Sequence, residues 1–79
     1  MKTKQYNFMI KAYYRLGVLE RMLRVIRHRG GYIHQMQMAE SGAETLELSL
    51  TLSTERPPEL LQAQLNKLVD VITTEIAPK

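Results

Sequence analysis

The sequence predicts an α+β fold: a two-layer sandwich in which two helices cover one face of a four-stranded antiparallel sheet. Three observations lead there. Leu46, Leu48, Leu50 and Leu52 alternate with Thr45, Glu47, Ser49, Thr51 and Ser53, the pattern of a strand with one buried face and one wet face. Val18, Leu19, Met22, Leu23, Val25 and Ile26 recur at steps of three and four, the period of an amphipathic helix. The chain has 79 residues, enough for one domain, 1–79 with a core over about 4–76.

The elements follow in order. Tyr6, Phe8, Ile10 and Ala12 share one parity against Asn7, Met9, Lys11 and Tyr13, so the first strand opens the chain. The first helix comes next, with Glu20, Arg21, Arg24, Arg27 and His28 on its polar side. Arg27, His28 and Arg29 suit its C-terminal dipole, and Gly30-Gly31 ends it. No Ser, Thr, Asp or Asn caps its start at Arg15-Leu16-Gly17. Residues 32–39 form the second strand. Ile33 breaks the alternation there, and strict alternation would turn His34 inward. A bulge over Ile33–Gln35 resolves the conflict. Ser41-Gly42-Ala43-Glu44 makes a turn into the leucine strand. Pro57-Pro58 opens a second helix with Leu60, Leu61, Leu65 and Leu68 as its apolar stripe. The β-branched run from Val69 through Ile76 is the fourth strand, and Ala77-Pro78-Lys79 is expected to fray. The order β-α-β-β-α-β fits the split βαβ, ferredoxin-like motif with right-handed crossovers.

Composition narrows the function. The absence of cysteine removes disulfides, thiolate metal sites and cysteine nucleophiles. Two histidines, His28 and His34, cannot build a multi-histidine metal cage. No apolar run reaches the roughly 20 residues of a membrane span. The opening Met1-Lys2-Thr3-Lys4-Gln5-Tyr6-Asn7 lacks signal-peptide features, so a cytoplasmic location is expected. The net charge of +3 is uneven. Residues 1–30 carry Lys2, Lys4, Lys11, Arg15, Arg21, Arg24, Arg27 and Arg29 against Glu20 alone, whereas residues 31–79 are acidic. The basic half is either a solvated helix face or a surface for nucleic acid or an acidic protein.

This fold hosts many functions, so sites must decide. RNA stacking needs aromatics on the first and third strands. The third strand has none and carries Glu47, and Tyr13 alone is insufficient. Hydrolysis would need a base near an anion clamp such as Arg15, but no carboxylate, nucleophilic serine or histidine pair stands at a recognisable spacing. No catalytic residue is assigned. The remaining point of interest is the loop Tyr13-Tyr14-Arg15-Leu16-Gly17-Val18-Leu19. There a glycine at a helix N-terminus either lets a small anion approach free amides or simply makes a tight turn.

The segment Leu16-Gly17-Val18-Leu19-Glu20-Arg21, followed by Arg29-Gly30-Gly31-Tyr32-Ile33, resembles an ACT domain. The runs Leu19 to Gly30, Met36 to Ala39 and Gln64 to Val71 are similar to small regulatory subunits of acetolactate synthase (acetohydroxyacid synthase), of the isozyme II type. The resemblance covers nearly the whole chain. Most such subunits carry a second C-terminal domain; the likeness to the isozyme II type implies that none is expected here. The resemblance implies a non-catalytic subunit that binds and activates the large catalytic subunit. That partner condenses two pyruvates to 2-acetolactate, or pyruvate with 2-oxobutyrate, for valine, leucine and isoleucine synthesis. Thiamine diphosphate, FAD and magnesium are expected in the catalytic partner and no cofactor in this chain.

One departure bears on regulation. Valine-sensing relatives have an Asn-x-Ser-Gly-Ala loop and a second asparagine at the start of the second strand. Here the effector-loop positions are Tyr14, Arg15, Leu16, Gly17 and Val18, with Tyr32 and Ile33 at the second strand. Leu16, Val18 and two tyrosines are expected to fill the space. A ligand amine buried without partners loses about 1–3 kcal/mol, roughly 5- to 150-fold in affinity, so valine insensitivity is expected. ACT domains commonly pair side by side through the second strand, so the resemblance implies a homodimer edge at Tyr32, His34 and Met36; the alternative is an open edge that Gln35 and Gln37 merely solvate. Arg21, Arg24 and Arg27 form one basic face, the expected contact for the large subunit or else a solvated face. The alternatives are a stand-alone amino-acid sensor and a basic nucleic-acid-binding domain.

Overall fold

The computed structural model describes residues 4–42 and 44–79. Lys2 of the basic half and Ala43 of the expected turn lie outside the described residues. Six elements follow one another: β1 (Gln5–Tyr13), α1 (Val18–His28), β2 (Tyr32–Glu40), β3 (Thr45–Ser53), α2 (Pro58–Asn66) and β4 (Val71–Pro78). The sheet order is β2-β3-β1-β4, with every neighbouring pair antiparallel. Both β-α-β units therefore straddle a strand, as the ferredoxin-like order requires.

The alternation in β1 and β3 sets the core. Phe8, Ile10 and Ala12 pair with Leu50, Leu48 and Leu46, and all six are buried. Val18, Met22 and Ile26 of α1 and Leu61 and Leu65 of α2 close over them. Among the described residues the opposite face of the sheet has no second layer, and it carries Asn7, Met9, Lys11, Glu47, Ser49 and Thr51.

The end of α1 is built from its two glycines. The Gly31 amide donates to the Ile26 carbonyl at 2.8 Å and the Gly30 amide to that of Arg27 at 3.2 Å. These are the paired bonds of a Schellman turn, with Gly30 at φ +83° in the left-handed region. A Cβ on Gly31 would stand 2.7 Å from Ile26 Cγ2 and 3.0 Å from the Ile26 carbonyl, so the chain turns against its own helix here.

The register of β2 shifts between Ile33 and Gln35. The bulge lets Ile33 pack against the core while His34 leaves the ladder and faces out. His34 Nε2 lies 2.9 Å from Ser53 Oγ. Three expectations need correction. Leu60 is 58% exposed, because buried Pro58, Leu61 and Leu65 define the stripe of α2 and Leu60 lies off it. The fourth strand begins at Val71, not Val69, because the Val71 amide turns back onto the Leu68 carbonyl. Ala77 and Pro78 are paired opposite Asn7 and Tyr6 instead of fraying. Proline is tolerated there because β4 is an edge strand that need not donate outward.

Candidate functional site

The loop between β1 and α1 is the site the residues build. Gly17 precedes the helix at φ +81°, a conformation that costs an L side chain about 1–2 kcal/mol. Its left-handed turn sends the chain from the sheet into α1, with the Val18 amide donating to the Arg15 carbonyl at 3.1 Å. No side chain caps the helix.

Asp70 completes this end of the molecule. It lies in the connection between α2 and β4, and its side chain is 5% exposed. Arg15 Nη1 donates to Asp70 Oδ1 and Arg21 Nη2 to Asp70 Oδ2, each at 3.0 Å. The Tyr13 amide donates to the Asp70 carbonyl oxygen at 2.8 Å. Arg21 Nη2 also reaches the Leu16 carbonyl at 3.4 Å. Arg15 stands over the Tyr13 ring, 5.1 Å from its centroid. One carboxylate thus ties two arginines, the β1–α1 loop and the start of β4 together. Both carboxylate oxygens are engaged, which is how a buried charge is made tolerable.

The structure separates the expected effector positions. Tyr14 and Arg15 are exposed, Leu16 is 99% exposed, and Val18 is buried in the core beneath α1. Leu16 and Val18 therefore do not fill a shared pocket. Tyr32 pairs with Ser53, whereas Tyr13 pairs with Thr45 at the other end of β3. Eight residue steps separate those ends, about 27 Å. Within one chain, Tyr32 and Ile33 lie far from the loop.

Tyr32, His34 and Met36 all lie on β2, a free edge of the sheet. The Tyr32 and His34 rings are 5.0 Å apart, and Tyr32 is 68% exposed. Met36 and Met38 are partly exposed. Arg21, Arg24 and Arg27 are all exposed on α1, and Arg21 is in addition paired with Asp70.

The open sheet face carries a concavity of about 430 Å³ bordered by Asn7, Met9, Gln35, Gln37, Ser49 and Thr51. Thr51 Oγ1 donates to Asn7 Oδ1 at 3.0 Å, and Ser49 Oγ lies 3.1 Å from Met9 Sδ. Among the described residues, no group of three or more His, Cys, Asp or Glu could hold a metal ion, and no helix is long and apolar enough to cross a membrane.

Asp70 is what sequence reasoning missed. It sits in the run Leu68-Val69-Asp70-Val71, and an acid among apolar residues there was the one available signal.

A six-element sandwich of this order is the ferredoxin-like architecture in which ACT domains are built. The ACT-domain model matches residues 14–73, and the chain belongs to that family. It is 44% identical over 68 residues to the acetolactate synthase isozyme 2 small subunit of Escherichia coli K12, covering 85% of this chain and 78% of that one. The same subunit of Shigella flexneri matches equally. The fold is shared with the ACT domain of GTP pyrophosphokinase from Chlorobium tepidum, at a TM-score of 0.79 and 17% identity over 96% of this chain and 100% of that one. It is also shared with a homoserine dehydrogenase from Thiobacillus denitrificans, at a TM-score of 0.78 and 19% identity over 98% of this chain and 17% of that one.

Proposed function

We propose that this chain is the non-catalytic regulatory subunit of a cytoplasmic acetolactate synthase, which binds and activates the large catalytic subunit. The observation that carries the reading is the 44% identity to an isozyme 2 small subunit, spread over 85% of the chain. Thiamine diphosphate, FAD and magnesium belong to the catalytic partner in this reading, which joins two pyruvates to 2-acetolactate with loss of carbon dioxide. The subunit pairs with a second copy through the free edge of β2, where Tyr32 and two methionines stand exposed. Antiparallel pairing of two β2 strands would carry each Tyr32 toward the partner's loop end.

Valine insensitivity is supported by the ion pairs. An amino acid binding at the β1–α1 loop needs donors for its carboxylate. Here Arg15 and Arg21 already hold one, that of Asp70. The loop also offers no side-chain amide or carboxylate to an incoming amine between Tyr13 and Leu19. A nucleic-acid role is disfavoured by the open sheet face, where Lys11 pairs with Glu47 and Met9 with Glu75.

The test is acetolactate formation from pyruvate by an isozyme 2 type catalytic subunit, with and without this chain, each with and without valine. The expected result is a rise of tenfold or more on adding the chain, unchanged by millimolar valine. No rise would discard the subunit reading. A rise abolished by valine would keep the subunit and discard its insensitivity.

A further inference from the structure

The sheet has two outer strands, β2 and β4. An unpaired edge offers a row of amides and carbonyls to any other strand. The two edges of this molecule differ in how much of that row stays open.

Along β4 the backbone alternates, one residue facing β1 and the next facing outward. The Lys79 amide donates to the Gln5 carbonyl of β1 at 3.2 Å, which puts the odd-numbered residues on the β1 side. Thr74, Ile76 and Pro78, paired opposite Ile10, Phe8 and Tyr6, therefore turn their backbone groups outward. Pro78 has no amide to offer. The Thr74 carbonyl accepts from Gln62 Nε2 of α2 at 2.6 Å. Beyond Thr73 the register shifts between Lys11 and Ala12, and the regular ladder stops. Among the described residues, Ile76 is left as the one outward position of that ladder with both groups open. An added strand bonds to successive alternate residues, so one open position cannot seat it.

The β2 edge is built differently. It runs nine residues, Tyr32–Glu40, without a proline. Past its bulge, Gln35 to Glu40 pair with β3 in unbroken register. Among the described residues, no side chain bonds to the β2 backbone.

We infer that Gln62, together with Pro78, caps the β4 edge and so ends sheet extension at two chains; the inference rests on the β2 pairing proposed above. Pairing of β2 with β2 uses the same strand of both copies and closes on itself. Pairing of β2 with β4 uses different strands, leaves one of each free at the ends, and repeats without closing. The cap removes the second mode. A glutamine that only satisfied a carbonyl would bear on stability alone, whereas a cap bears on assembly as well.

The test is sedimentation of the full chain over a range of concentrations, with circular dichroism to verify folding. One edge variant is Pro78→Val, which restores an outward amide. The other combines it with Gln62→Leu, which also frees the Thr74 carbonyl. Gln64→Leu, whose glutamine bonds Arg29 instead of β4, is the control for added apolar surface. Wild type and Gln64→Leu are expected to stop at the mass of two chains when concentrated. The double variant is expected to grow with concentration to at least twice that mass, and Pro78→Val to grow less. Two-chain mass in the folded edge variants would overturn the cap and leave the β2 pairing standing; should the double variant not fold, Pro78→Val alone decides. Equal growth of Gln64→Leu would assign the effect to apolar surface and overturn the cap. A wild-type chain that keeps the mass of one chain would overturn the β2 pairing and the cap with it.

Discussion

The two helices cover the same face of one sheet, yet they are held there by different interactions. α1 buries Val18, Met22 and Ile26, and it is also fixed at both ends. Arg21 ties its first turn to Asp70, and the Gly30-Gly31 turn locks its last. α2 buries Pro58, Leu61 and Leu65 and ends in backbone turns alone. Its polar ties are Gln62 Nε2 to the Thr74 carbonyl at 2.6 Å and Arg29 to Gln64 Oε1 at 3.1 Å. The difference separates two tasks. Apolar burial decides whether a helix is present, and polar anchoring decides how accurately its end is placed. Only α1 places residues of the candidate site.

Substitutions can break this contrast, starting with burial. Leu65→Ala in α2 is expected to lower unfolding free energy by about 2–5 kcal/mol in urea titration, whereas Leu60→Ala one turn earlier should stay within about 0.5 kcal/mol. Equal effects would mean that α2 presents a different face to the sheet. Next comes the anchor of α1. Asp70→Asn should cost about 1–3 kcal/mol, kept below a buried pair's value because both arginines are substantially exposed. Double-mutant cycles sharpen the point: coupling to Arg21, the less exposed partner, should exceed coupling to Arg15. The smallest effect is at the entry turn. Gly17→Ala should cost about 1 kcal/mol, since φ is +81° and the new Cβ would stand 3.1 Å from Arg21 Nη1.

Strand patterning explains how much of this was legible. The leucines of β3 and the parity of β1 announce buried faces because each lies in a strand covered on one side only. The bulge in β2 was readable from the misplaced Ile33. Leu60 was not, since adjacent residues on a helix differ by about 100° and composition alone does not say which of Leu60 and Leu61 turns inward. Pro78 was misjudged because edge status depends on sheet order, and local sequence does not contain it. The loop showed its glycine and its missing cap, but its electrostatics were hidden. Arg15 reads as a free anion clamp until a carboxylate 55 positions away is placed against it. For the same reason Arg21 read as one of three free charges.

The Asp70 bridge also has a place in time. Only β2 and β3 are joined by a short turn; β1 must wait for β3 and then for β4, the last strand of the chain. A contact spanning 55 residues cannot form until that final strand has docked. It is therefore expected to form on the native side of the folding barrier. Asp70→Asn should then speed unfolding and leave the refolding rate nearly unchanged in stopped-flow measurements, the behaviour of a latch on a finished fold.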